Sequence, residues 1–214
     1  MDYIKGDNAM RIRQRPITKR ALNALETKNT IFETALTLFT EYGFENVTID
    51  EITKTAGFSK GSFYTHFETK ESILVEQFRK IDDEYDIVFE KIDENMTASE
   101  RLLLLVRTMT EYCHNICGLE KIRIVYANQI SPSRSFKILD NKERHIYRYL
   151  EDIVERGRKN NEFHIDLPDD ELTELLMRHC RSIMFDWCLI GESFDVIEEG
   201  QKFFKIIIDS IAKK

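Results

Sequence analysis

The chain has 214 residues, 42% apolar and 32% charged, the balance of a folded globular protein of one or two domains, which excludes wholesale disorder. Thirty-one Lys and Arg stand against 38 Asp and Glu, a net charge of −7, which argues against coating DNA or membrane through bulk positive charge. The longest purely apolar run, Leu102 to Val106, is far shorter than the roughly 20 residues of a membrane helix, and no stretch of signal-peptide length opens the chain, so no membrane contact and a cytoplasmic location are expected.

Residues 1–24 show no clear period. Arg11, Arg13, Arg15, Lys19 and Arg20 put five positive charges into ten residues, read as a flexible basic arm: a frayed, solvated terminus, or one that touches phosphate or a minor groove. From Thr27 the helical period begins, with Ile31, Ala35, Leu38, Phe39 and Tyr42 on one face and Gly43 closing it in the left-handed conformation. Thr48-Ile49-Asp50-Glu51 is a capping box that opens a second helix, ended by Gly57. Ser59 reads as the N-cap of a short helix, Lys60 to Phe67. Thr69 reads as the cap of a fourth, which turns Ile73, Leu74, Phe78, Ile81 and Val88 inward. Helix, tight glycine turn, helix is the helix-turn-helix pattern.

The rest also reads as helix. Thr97-Ala98-Ser99-Glu100 is a second capping box before a stripe that Gly118 ends. A helix over 119–130 stops before Pro132, another runs from about 136 to 156 and ends near Gly157, a third runs from Pro168 to Gly191, and the last spans about 195–212. Three Pro and 8 Gly suit such long helices. The predicted fold class is all-α with about nine helices: an arm over 1–24, a DNA-binding domain over 25–85 and a C-terminal bundle over 86–214. Split at residue 70, the charge is +1 before and −8 after. The acid lies away from the candidate reader.

The segment Thr48 to Lys70 carries the chemistry. A helix entering a major groove must present small or polar residues at its N-terminus, so that backbone approaches base edges. Ser59-Lys60-Gly61-Ser62 does so. Tyr64, Thr65, His66 and Lys70 offer donors for phosphate, and the free amides at the Thr48 end offer more. Phe63 and Phe67 face a small core with Phe58, Leu38 and Ile52.

Phe39 and Gly43, Thr48, Ala56-Gly57, Ser59-Lys60-Gly61-Ser62-Phe63-Tyr64 and Phe67-Glu68-Thr69-Lys70 together resemble the DNA-binding region of the tetracycline-repressor (TetR/AcrR) family of bacterial transcription regulators. The resemblance covers about residues 27–75; beyond residue 90 it is one of architecture. It implies a sequence-specific regulator, a repressor released from a near-palindromic operator on double-stranded DNA by a small-molecule effector. It implies base or near-base contact from Lys60, Gly61, Ser62 and Thr65, and phosphate contact from Thr48, Tyr64, His66 and Lys70. Ser59 belongs to this set chiefly as the helix cap. A homodimer through the helices at about 168–190 and 195–212 is implied as well. The alternatives are a helical protein-interaction module, or a thiol or metal sensor of the same fold.

For the effector, Met109, Cys113, Cys117, Tyr126, Cys180, Met184 and Trp187 supply soft and aromatic side chains suited to a largely apolar ligand, and equally to an ordinary core. Cys113 and Cys117 lie one helical turn apart beside His114, with His179-Cys180 later, but with no known metal-motif spacing. In a cytoplasmic protein Cys113, Cys117, Cys180 and Cys188 read as reduced thiols. No catalytic constellation stands out, so no enzyme activity, cofactor or metal is expected.

Overall fold

A computed structural model describes residues 18–131 and 137–212. Nine α-helices build these residues: α1 Lys19–Tyr42, α2 Ile49–Ala56, α3 Lys60–His66, α4 Ser72–Phe89, α5 Ala98–Tyr112, α6 Leu119–Ile130, α7 His145–Lys159, α8 Asp169–Ile190 and α9 Val196–Ile211. The all-α fold class is as the sequence indicated. Among the described residues the β structure is one isolated bridge, Phe163 to Ala212, and no helix is long and apolar enough to cross a membrane.

Helices α1, α2 and α3 form a small N-terminal unit around Phe39, Ile52 and Phe63, all fully buried. Phe44, in a single 3-10 turn after α1, packs edge-on to Phe39 at 4.9 Å between centroids. The acid-rich remainder is a bundle in which α5 packs on α9 and α7, and α7 on α8. α4 joins the two parts. Its first half buries Ile73 and Leu74, and its second half buries Ile81, Tyr85 and Phe89.

Several boundaries differ from the sequence reading. α1 starts at Lys19, capped by Thr18, whose hydroxyl accepts from the Ala21 amide at 3.2 Å. Lys19 and Arg20 are therefore helical rather than part of an arm, while Arg11, Arg13 and Arg15 lie outside the described residues, as does Pro132. The first two turns of α1 are exposed and bury nothing, which is why they leave no apolar period. Gly43 has positive φ as expected, but its ψ of 142° is extended rather than left-handed helical. Thr69 does not cap α4: the helix begins at Ser72, whose hydroxyl instead accepts from the Thr69 amide at 3.2 Å.

The largest difference lies between 136 and 157. Residues 137–144 are not helical, and α7 begins at His145. Gly157 does not end that helix but lies inside it, because a Cβ there would fall 2.2 Å from the Phe163 ring. The glycine gives way to a buried aromatic that closes the base of the bundle. Similarly, α5 continues past Tyr112 into one π turn, Cys113–Cys117, before Gly118 at φ +80° redirects the chain. The sequence reading carried this stripe to Gly118, where the helical run does end; the π character of its last turn was not legible in the pattern.

Gly157→Ala should therefore destabilise the protein by about 1–3 kcal/mol, the usual range for overpacking, despite the better helix propensity of alanine. Denaturant unfolding checks it. A variant as stable as the parent would show that Phe163 does not need the space.

Candidate nucleic-acid interface and effector cavity

The helix-turn-helix is built from local hydrogen bonds that its sequence specifies. The Thr48 hydroxyl accepts from the Glu51 amide at 3.2 Å, and the Glu51 carboxylate accepts from the Thr48 amide at 2.7 Å. These bonds hold the Glu51 carboxyl below the ordinary carboxylate range. The carboxylate also accepts a hydrogen bond from the Thr48 hydroxyl at 2.7 Å. Thr48 therefore spends its donors on Glu51, and an arriving phosphate meets fewer free groups here than the sequence suggested.

Gly57 ends α2 in the left-handed region, φ 76° and ψ 25°, and Phe58 donates back to the Thr53 carbonyl at 2.9 Å. The turn places Ser59 at the start of α3, where its hydroxyl accepts from the Ser62 amide at 3.1 Å. Phe63 and Phe67 anchor the inner face of α3 in the core. The opposite face carries Lys60, Gly61, Tyr64 and Thr65, all exposed, with Ser62 and His66 half-buried beside them. These residues share one outer surface, as the sequence reading required.

Gly61 is the informative member. A Cβ there would meet only the Ser59 hydroxyl, at an ordinary 3.7 Å. Its backbone is helical, so neither packing nor strain inside the protein calls for glycine. A glycine within a helix costs about 1 kcal/mol relative to alanine. Its missing side chain leaves the helix backbone open on the exposed face.

Two cations are already engaged. Lys60 pairs with Asp50 on α2 at 3.0 Å, and that carboxylate raises the lysine's pKa. Lys70 donates to the Phe44 carbonyl at 2.6 Å and the Val47 carbonyl at 3.1 Å, and its ammonium stands 4.3 Å from the Phe44 ring centroid. Lys70 thus stitches the chain before α4 to the turn after α1, a structural duty the motif did not reveal.

In the bundle, a cavity of about 30 Å³ lies between α4, α5, α6, α7 and α8. Met109, Cys113, Tyr126, Cys180 and Met184, five of the seven residues singled out for an effector, line it together. Cys117 and Trp187 do not. Cys117 turns toward α4, where the Gln77 side chain donates to its sulfur at 2.7 Å, and Trp187 is buried with its ring 5.8 Å from His114. A hydrogen bond from Cys113 and the Gln77 contact lower the Cys117 pKa, while the Cys113 thiol is pushed well up. Burial drives the Cys180 thiol up to about 12, so it stays protonated. Among the described residues no three His, Cys, Asp or Glu side chains group as a metal site.

Sequence reasoning missed the polar wall of this cavity. Arg144, just before α7, forms a buried pair with Asp82 of α4 at 2.9 Å and 3.2 Å. Arg181 of α8 donates to the Leu139 carbonyl and the Tyr147 hydroxyl, both at 3.0 Å. Tyr85 of α4 is fully buried. Phe78, Ile81, Asp82, Tyr85 and Phe89 share one helical face, so an acid and a tyrosine on that apolar stripe were the signal available in the sequence.

Helix α4 also holds both halves of the molecule. Glu76 pairs with Lys28 of α1 at 2.7 Å, and Asp86 accepts from Arg148 at 3.0 Å and the Tyr149 hydroxyl at 2.8 Å. Glu33 of α1 reaches Lys80 of α4 at 3.7 Å and Lys121 of α6 at 3.8 Å.

Residues 31–76 match the family model for bacterial regulatory proteins of the tetR family. The chain is 26% identical to the HTH-type transcriptional repressor KstR2 of Rhodococcus jostii (strain RHA1), over 85% of this chain and 89% of that one. It is 21% identical to the fatty acid metabolism regulator protein of Bacillus subtilis (strain 168), over 86% and 95% of the two chains. Among solved structures, the regulator FadR from Bacillus subtilis in complex with stearoyl-CoA is similar with a TM-score of 0.69 at 19% identity, covering 86% of this chain and 98% of that one. That last likeness is one of fold.

Proposed function

This chain belongs to the tetR family of bacterial regulatory proteins, and we propose from its geometry how it acts as a DNA-binding, ligand-responsive transcriptional regulator. The exposed face of α3 enters the major groove. Lys60, Gly61, Ser62 and Thr65 lie at or near base edges, and Tyr64, with His66 beside it, meets phosphate. Ser59 fixes the start of the helix, and Thr48 sits at the backbone. Lys70 supports this surface from behind. The observation that carries the reading is Gly61, a helical glycine with no internal reason to be one.

The regulator works as a homodimer through α8 and α9. His179 of α8 and Phe203 of α9 lie 5.4 Å apart, so the two helices share a face. On these helices Leu189, Ile190 and Ile206 are 65%, 55% and 69% exposed. Apolar exposure of this kind marks an interface, and two helices from each copy make a four-helix bundle. Two α3 helices about 34 Å apart then reach successive grooves of a near-palindromic operator. The protein is a repressor, and a small molecule in the bundle cavity releases it by shifting α4. Relatives are named for fatty acid metabolism and, in one complex, stearoyl-CoA, which supports a largely apolar effector.

A gel shift against the DNA upstream of its own gene tests the reading. The parent should retard that fragment. Gly61→Ala should keep or raise stability, by up to about 1 kcal/mol, yet weaken binding at least tenfold. Tyr64→Ala should weaken binding to all sequences alike, and Ser62→Ala should alter base preference. Normal binding by Gly61→Ala would sink the docking assignment. Ile206→Glu should yield a folded monomer by sedimentation that no longer binds the operator; a dimeric variant would sink the interface.

A further inference from the structure

The cavity in the bundle has an unbalanced polar wall. Among the described residues, the Tyr85 hydroxyl is the one buried side-chain polar atom without a hydrogen-bond partner. Tyr85 lines the same cavity as Arg144 and Arg181. Two guanidinium groups therefore stand there against one neighbouring carboxylate, Asp82, because among the described residues no acid lies within 4 Å of Arg181. The rest of the wall is apolar or soft, including Met109, Ile122, Met177 and Met184.

Such a wall lacks one acceptor and one negative charge. A buried hydroxyl with no partner is costly, and a water-poor site holding an excess cation favours an anion. A carboxylate supplies both at once: one oxygen accepts from Tyr85, and the planar group matches a guanidinium fork. An apolar body attached to it suits the methionines, whose unbranched side chains part easily.

We propose that the effector taken by this cavity is an apolar monocarboxylate, held by the Tyr85 hydroxyl and by Arg144 and Arg181 in competition with Asp82. The proposal rests on the reading of the chain as ligand-responsive. The space of about 30 Å³ holds little more than a water molecule, so the ligand must open it. Opening parts α4 from the segment that carries Arg144. The incoming carboxylate then fills the missing negative charge between Arg144 and Arg181 and competes with Asp82 for Arg144, so its binding loosens the hold on α4, the helix that continues into the DNA-binding unit.

Straight-chain carboxylates from hexanoate to dodecanoate, below their micelle concentrations, test this by calorimetry on the full-length protein. The 1-alkanols of equal length serve as neutral controls. At least one carboxylate should bind, with the matching alcohol at least tenfold weaker, and should release the operator. Tyr85→Phe should melt at the parent temperature or above, since it removes an unpartnered hydroxyl, and should bind that carboxylate about tenfold more weakly. Arg181→Gln should also weaken it without changing the alcohol. Alcohols binding as tightly as carboxylates, unchanged affinity in both variants, or no binding across the carboxylate series would each overturn the assignment. Release of the operator by a neutral compound alone would refute the carboxylate while leaving ligand control intact. An operator that binds equally with and without every compound, neutral ones included, would refute ligand control itself.

Discussion

The buried pair between Asp82 and Arg144 fixes α4 to the bundle, and α4 is the helix that joins the bundle to the N-terminal unit. Both side chains are nearly excluded from solvent, and the arginine also lies over the Phe78 ring, 4.6 Å from its centroid. A buried pair of this kind adds little net stability against an apolar pair of equal volume, but losing one partner costs about 3–5 kcal/mol. It therefore specifies a position more than it strengthens a fold. With Asp82 seated, Asp86 one turn on reaches Arg148 and Tyr149, and Glu76 at the other end reaches Lys28 on α1. One helix is thus pinned to the bundle at one end and to the DNA-binding unit at the other.

The charge distribution follows the same division. The net charge of −7 gathers after residue 70, on the bundle. The reader is close to neutral, and Lys60 and Lys70 are both engaged within the protein. On the proposed docking, DNA binding depends on positioned donors, on close approach at Gly61 and on the spacing of two copies rather than on bulk attraction. Acid on the far side also disfavours approach in the wrong orientation.

How much was legible in the sequence depended on whether the controlling interaction was local. The Thr48 and Thr97 capping boxes, the Ser59 cap and the Gly57 turn form as the residues dictate, since each closes within three or four positions. The reader was legible for that reason. Gly157 was misread because a distant ring, Phe163, decides its role rather than its own helix end. The loop 137–144 was misread as helix because no Gly or Pro interrupts it. Half of the cavity was legible from its soft side chains. The decisive half was not, because Tyr85, Arg144 and Arg181 converge from three separate segments.

The most direct test of the clamp is the operator affinity of Asp82→Asn in the absence of any effector, under conditions where circular dichroism shows the native helix content. If Asp82 holds α4 in the binding-competent position, the variant should bind about 5–150-fold more weakly than the parent, the range typical of allosteric coupling. A folded Asp82→Asn protein with the parent's affinity would contradict the account.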